Sequence, residues 1–327
     1  MPKMNMVQSI NLAMMQEMGN DDSVVVLGED VGVNEGVFRV TAGLHEKYGE
    51  DRVIDTPLAE SAIMGTAIGM SMGGLKPIAE MQFSGFSYLA FPQLEGHASR
   101  MRGRTQGVFT CPLVVRMPYG GGVRALEHHS ESREATYSHI PGLKVITPST
   151  PRTARALLVA AIRDPDPVIY MEPKRVYRAY REEVPAEEEV MEIGKARLAL
   201  EGDALTVVTW GAMLHPTLTA VEAVMEERGI AIEVVDLLTI APMDVDAITE
   251  SVARTGRAVV VQEAPRSFSV SGEVVAQIND KVLMYLEAPV KRVTHYDVAT
   301  PFFGREMNYI PSEDRIRWAI EETLDFS

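Results

Sequence analysis

Short apolar runs and longer segments of helical spacing alternate along this chain. A helical period over Met6–Glu17 gives way to the aliphatic run Val24–Leu27, then to a helix at Ala42–Tyr48 and a brief strand at Val53–Asp55. Ser61–Leu75 carries no charge and reads as a core helix opened by Glu60. Strand Pro77–Met81, helix Tyr88–Met101, strands Leu113–Arg116 and Lys144–Ile146, helix Thr153–Ile162 and strand Val168–Met171 complete a first unit. β-Branched runs bounded by Gly, Pro or Asp and separated by helices indicate a mostly parallel sheet with helices on its faces.

The rhythm stops at Arg181–Glu189, where glutamates and a proline replace the apolar period. That stretch reads as a linker. Alternation resumes with strands at Leu205–Thr209, Ala231–Val235, Ala258–Gln262 and Val290–Thr294, and helices at Pro216–Glu227, Val245–Thr255 and Gly272–Leu283. A chain of 327 residues is too long for one ordinary core. The expected fold class is α/β in two domains, residues 1–180 and 193–327, joined by an acidic linker at 181–192.

Composition narrows the class. Hydrophobic residues make up 46% and charged residues 24%, ordinary globular usage that excludes disorder. The single cysteine, Cys111, excludes an internal disulfide framework and fits a reducing, cytoplasmic compartment. Set just before the apolar run Leu113–Val115, it reads as a buried thiol. The first residues lack the layout of a secretion signal, and Ser61–Leu75 is too short and too broken by Gly and Ser to span a membrane. A net charge of −15 argues against nucleic-acid binding, which needs Lys and Arg at phosphates, and suits a basic protein partner.

Glu60 is the chemically informative residue. It follows Asp55-Thr-Pro-Leu-Ala and faces the core side of a strand-to-helix turn. Burial penalises the charged form, so either hydrogen bonds hold the carboxylate or its proton affinity rises. Such acids occur at functional sites and also as structural acids capped by backbone N–H groups; both readings stand at this point. Glu29, at the end of the first strand, stands where open α/β sheets bind ligands, and is equally placed to cap the next turn. His129 lies in the polar loop Glu127–Glu134, where an imidazole can exchange protons near neutral pH. Its rival role is metal ligation with His128 and His139, whose spacing matches no standard zinc signature. Gly120-Gly-Gly122 alone is weak evidence for phosphate binding.

The segments Leu27-Gly-Glu-Asp-Val-Gly32, Asp55-Thr-Pro-Leu-Ala-Glu60 and Glu80-Met-Gln-Phe83 occur in that order. Gly120-Gly-Gly-Val123, His129-Ser-Glu-Ser132, Pro141-Gly-Leu-Lys-Val145, Glu172-Pro-Lys174, Glu263-Ala264 and Leu286-Glu-Ala-Pro289 follow. In this register the chain resembles, over nearly its whole length, the β-subunits of the thiamine-diphosphate-dependent 2-oxo acid dehydrogenases. Members of that family act on pyruvate, branched-chain 2-oxo acids or acetoin. The resemblance implies a transketolase-like pyrimidine-binding domain followed by a transketolase-type C-terminal domain. It implies that Glu60 is the carboxyl group at N1′ of the aminopyrimidine, and that Leu58, Gln82 and Phe86 line or stack on that ring. Taken alone, Phe86 would be plain core. Glu29 joins the acid network behind the cofactor, and His129 serves the transfer of the acyl group to lipoamide.

Thiamine enzymes of this kind hold the diphosphate and Mg²⁺ through Gly-Asp-Gly with a downstream Asn. No Gly-Asp-Gly occurs here; Glu201-Gly-Asp-Ala204 fails at its last glycine. The resemblance therefore implies an α-subunit that carries Mg²⁺, in a heterotetramer of two α- and two β-subunits, and a chain inactive alone. It implies docking of the dihydrolipoyl acyltransferase core through its small basic subunit-binding domain. It also implies a potassium site at Leu113, Ala161, Ile162, Asp164 and Asp166, where the plain reading is a helix C-terminal turn. Ser84-Gly-Phe86 and Ser130-Glu-Ser132 lean toward pyruvate-type relatives, whereas Glu172-Pro-Lys174 leans toward branched-chain ones. The alternatives are an acetoin-type β-subunit, a fragment of a larger transketolase-like enzyme, or a non-catalytic scaffold for the acyltransferase core.

Overall fold

The computed structural model describes residues 2–185 and 187–326. The N-terminal half supplies β1 (Lys3–Met4), β2 (Val24–Gly28), β3 (Val53–Asp55), β4 (Lys76–Glu80), β5 (Val114–Tyr119), β6 (Lys144–Ile146) and β7 (Val168–Pro173). After β8 (Glu182–Glu183) come β9 (Arg197–Leu200), β10 (Thr206–Thr209), β11 (Glu233–Asp236), β12 (Thr239–Ala241), β13 (Ala258–Val261) and β14 (Lys291–Val293). They form a seven-stranded sheet in the order β12-β6-β7-β5-β4-β2-β3 and a five-stranded sheet in the order β14-β13-β10-β11-β9. Every pairing in the two sheets is parallel except those of the edge strands β12 and β9.

The central strands β2, β5 and β7 are buried along their whole length. Parallel strands covered by helices on both faces have no solvent side, so their sequences run apolar rather than alternating. Alternation survives in which core each residue enters. Val259 and Val261 pack with Val24, Val26 and Leu157, whereas Ala258 and Val260 pack with Leu27, Met117 and Ile169. Each cluster includes residues of both sheets, so the two halves share their apolar layers. The helix Pro151–Arg163 starts on a capping box between Thr150 and Thr153 with proline in its first turn. It packs against the helix Met6–Asn20, and Arg163 bridges Glu17 of that helix to Glu188.

Three features depart from the sequence reading. The acidic stretch is structured: β8 pairs with β1, and Glu188 and Glu189 meet Arg163 and Arg152. Its glutamates read as linker because the arginines they face lie on a distant helix. β12 leaves the second half and pairs with β6, Thr239 opposite Ile146, so the domain boundary is bridged by backbone hydrogen bonds. The expected helix Tyr88–Met101 is broken into the turn Ser87–Leu89, the helix Phe91–Gly96, the turn Ala98–Arg100 and the short helix Met101–Arg104. Pro92 lacks the N–H that a helix begun at Tyr88 would need there, so it sits in the first turn of a new one. Among the described residues, no helix is long and apolar enough to cross a membrane.

Candidate active site

The carboxyl ends of β2, β3, β4 and β5 lie side by side, and the loops leaving them carry the candidate residues. Asp55, at the end of β3, accepts the backbone N–H groups of Gly32 at 2.6 Å and Val33 at 3.0 Å. This pins the loop after β2 that bears Glu29 and Asp30. Gln82, just past β4, donates to Asp30 Oδ2 at 3.4 Å.

Glu60 is the first residue of the helix Glu60–Met72, whose N-cap, Ala59, offers no side-chain cap. Glu60 is 6% exposed, and among the described residues its Oε2 atom has no hydrogen-bond partner. A carboxylate at a helix N-terminus is favoured by the macrodipole. An orphaned oxygen in a buried acid nevertheless calls for a partner from outside. Glu60 lines an open cleft of about 680 Å³ with Leu58, Ser61, Gly65, Leu89 and Gln93. Leu58 is 77% exposed on its rim. Among the described residues, no Lys or Arg lines this cleft, and Glu60 is its one charged residue. Glu29 is half-buried nearby, and burial first, then the charges of Glu60 and Asp30, raise its carboxyl above the usual range.

His129 is seated against two rings, Phe83 at 4.4 Å and Phe86 at 5.1 Å between centroids, both edge-on. Burial lowers the proton affinity of its imidazole, and the Lys174 ammonium and His128 lower it further. A neutral imidazole near pH 7 can accept a proton. The main chain of this loop packs so closely on Gly85 that a Cβ there would lie 1.9 Å from the carbonyl oxygen of His128. Phe86 thus joins His129, while Glu29, Leu58, Glu60 and Gln82 belong to the loops around the cleft. Phe83, Gly85 and Lys174 entered the sequence reading only as members of motifs, with no role of their own. Their only signal was adjacency to motifs, Phe83 beside Gln82 and Lys174 closing Glu172-Pro-Lys174.

The remaining candidates lie at the other edge of the sheet. Leu113 precedes β5, and Ala161, Ile162, Asp164 and Asp166 lie ahead of β7, at the amino ends of these strands. The Leu113 carbonyl accepts from Val168 N–H at 2.9 Å and that of Ala161 from Asp164 N–H at 3.3 Å. Asp164 pairs with Lys144 at 2.5 Å and Asp166 with Arg102 at 2.7 Å. Among the described residues, no group of three or more His, Cys, Asp or Glu side chains is placed to hold a metal ion. Cys111 is buried, and desolvation pushes its thiol up to about 11, which leaves it unreactive.

Fold and site together define a transketolase-type chain. Residues 2–179 match the transketolase pyrimidine-binding domain and residues 194–316 the transketolase C-terminal domain. A solved split-gene transketolase, described as an inactive beta4 tetramer, superposes with a TM-score of 0.81 over 99% of both chains. At 21% identity, that likeness speaks for the fold. Closer relatives are the pyruvate dehydrogenase E1 component β-subunits of Acholeplasma laidlawii, 50% identical over 95% of both chains, and of Bacillus subtilis strain 168, 47% identical over 100% of both. The chain belongs to the family of pyruvate dehydrogenase E1 component β-subunits.

Proposed function

We propose that this chain supplies the pyrimidine-activating half of a thiamine-diphosphate site that decarboxylates a 2-oxo acid, pyruvate in the first place. The orphaned oxygen of buried Glu60 at an open cleft carries the reading. The residues fit one end of the cofactor: a free carboxyl oxygen for a ring nitrogen, with Leu58 on the same cleft and Gln82 held by Asp30 on the neighbouring loop. They do not fit the other end. A diphosphate needs cations, and the cleft holds only a carboxylate. An α-subunit therefore brings Mg²⁺ and the diphosphate grip, and the rim around Leu58 is where it closes the site. When bound, the cofactor supplies an acidic carbon that adds to the 2-oxo group and a ring that stores the electron pair released with CO₂.

Glu60 holds and moves a proton at the pyrimidine N1′, and Glu29, kept protonated more readily by burial, limits the negative charge beside it. His129, neutral and walled by Phe83 and Phe86, exchanges a proton in the transfer of the acyl group to lipoamide. The names of the relatives favour pyruvate over branched-chain acids or acetoin. The C-terminal half docks the acyltransferase core through a basic domain, which the charge of −15 favours. Carbonyl groups at Leu113, Ala161 and Ile162, with Asp164 and Asp166, form the candidate potassium site.

Glu60→Gln tests the central assignment. The amide preserves size and burial but cannot relay a proton. In the reconstituted tetramer, hydrogen–deuterium exchange at the cofactor's reactive carbon should slow by at least ~100-fold, the scale of a lost acid–base group. Normal exchange in a well-folded variant would sink the reading. The isolated chain should show no saturable binding of thiamine diphosphate with Mg²⁺ by calorimetry. Tight binding without the α-subunit would overturn the divided site.

A further inference from the structure

The seam between the two halves holds a second set of buried charges. Lys174, directly after β7, is 3% exposed, and among the described residues its Nζ has no hydrogen-bond partner. Burial pulls its ammonium down to about 8, against the opposing pull of Glu263 and Glu306. Glu263 follows β13 and Glu306 opens the helix Glu306–Tyr309, so both carboxylates come from the C-terminal half, and both are buried. Glu263 Oε1 accepts the backbone N–H of Gly121 at 2.5 Å, and Glu306 Oε1 accepts that of Gly122 at 2.5 Å. Burial raises the Glu263 carboxyl above the usual range against the lowering pull of the Arg175 charge, and burial, then the charges of Arg315 and Arg175, lower the proton affinity of buried His295.

These glycines lead into the loop that carries His129. The Gly120 N–H donates to the Glu131 carbonyl at 3.1 Å, and Ser84 Oγ donates to the same carbonyl at 2.6 Å. A continuous track thus runs from the two carboxylates through Gly120–Gly122 to Glu131, two residues from His129. Gly122 has a φ of +87°, and a Cβ there would lie 2.3 Å from Arg175 Cδ. A side chain there would strain the backbone and displace Arg175. Of the N–H groups of the triple glycine, which the sequence left open to a phosphate, those of Gly121 and Gly122 are taken by the chain's own carboxyl groups and that of Gly120 by the Glu131 carbonyl.

We propose that Glu263 and Glu306 are positioning residues for His129: the C-terminal domain fixes the proton-transfer loop of the N-terminal domain through a carboxylate clamp on its glycines. The role assigned to His129 rests on the reading above. Charge-assisted bonds to backbone N–H groups are short and strong, and a clamp buried at a domain seam sets loop position rather than chemistry. A displacement of about 1 Å at a proton-transfer group costs on the order of 100-fold in rate.

The experiment compares Glu263→Ala, Glu306→Ala and the double variant with Glu263→Gln, which keeps a carbonyl acceptor for Gly121. The assembled enzyme is assayed for acyl transfer to lipoamide and for decarboxylation with an artificial electron acceptor. Amide hydrogen exchange is followed in the same samples over residues 119–132. The alanine variants should speed exchange of that segment by about 10-fold. They should also change the two assays in the same proportion to each other as His129→Ala does, with Glu263→Gln retaining most of the parent's behaviour. Unchanged exchange in the double variant overturns the clamp, as does a glutamine variant as damaged as alanine. If the alanine variants fail to fold, Glu263→Asp, whose carboxylate is drawn back by one methylene, is read by the same criteria. His129→Ala alone tests the role of His129: equal loss in both assays removes it from acyl transfer. The clamp is then still judged by loop exchange and by whether Glu263→Ala follows His129→Ala.

Discussion

Glu60 and Glu80 are both buried acids at the carboxyl edge of one sheet, each 6% exposed, and they are partnered in opposite ways. Glu80 ends β4 and accepts from Arg116 at 2.7 Å. Arg116 also holds Glu172 through Nε at 2.6 Å and a terminal nitrogen at 2.9 Å, and Tyr177 O–H closes the group on Glu172. Burial works against the guanidinium's charge, but Glu172 and Glu80 outweigh it and hold Arg116 cationic. Glu60 lines a cleft and has an oxygen with no partner among the described residues. Burial alone does not separate a structural acid from a functional one; unspent hydrogen-bonding capacity in a residue that lines an opening does.

The largest effect expected from this contrast is on the satisfied side. Arg116→Met leaves Glu80 and Glu172 buried without a counter-charge, and should cost about 3–5 kcal/mol of stability, measured by urea unfolding. A loss under 1 kcal/mol would show that the triad is not structural. Glu60→Gln should behave in the reverse manner, with the melting temperature nearly unchanged while cofactor deprotonation collapses as described above. If the amide variant loses stability on the scale of Arg116→Met, Glu60 belongs with Glu80.

A third buried acid sharpens the comparison. Glu134 accepts from Gln262 at 2.8 Å, yet its other oxygen has no partner. Burial raises its carboxyl from 4.5 to about 7, against the hydrogen bond from Gln262. The folded chain therefore binds a proton that the unfolded chain releases between those values. This group's contribution to stability is present below pH 4.5 and falls as pH rises toward 7. Glu134→Gln keeps the acceptor for Gln262 and should raise stability at pH 8 by about 1–3 kcal/mol, with little change at pH 4.5. Equal effects at both pH values would show that Glu134 does not change protonation between them. The smallest expected effect is on Glu29: removing the Glu60 charge in Glu60→Gln should lower the pH at which Glu29 titrates, followed by NMR. An unmoved titration would separate the two carboxyls electrostatically.

Much of this fold was legible in the residues. The apolar runs that predicted strands became β2, β4, β5, β7, β10, β11 and β13, because strands buried on both faces must be apolar throughout. Glu60 stood out for the complementary reason, as the lone charge at the mouth of an apolar helix. Other features were hidden. Thr239-Ile-Ala241 carries no mark of the sheet it joins, and the glutamates at 182–189 look solvated until the arginines they face are known. Phe83 and Lys174 matter through what lies across from them, not through their neighbours in the chain.

The sequence by itself determined the alternating α/β plan, the acid at the head of the uncharged helix and the lack of a diphosphate-binding motif. These are local properties, set by side-chain type and period. Only the tertiary structure decided which acids are spent and which are free. It ties Glu80 to Arg116 across adjacent strands and one oxygen each of Glu263 and Glu306 to glycines more than a hundred residues away, and it sets Glu60, for which it gives no hydrogen bond among the described residues, on an open cleft. Such partnerships depend on which strand ends and loops meet in space. That is fixed by the packing of sheets and helices against one another, a long-range outcome that no local pattern records.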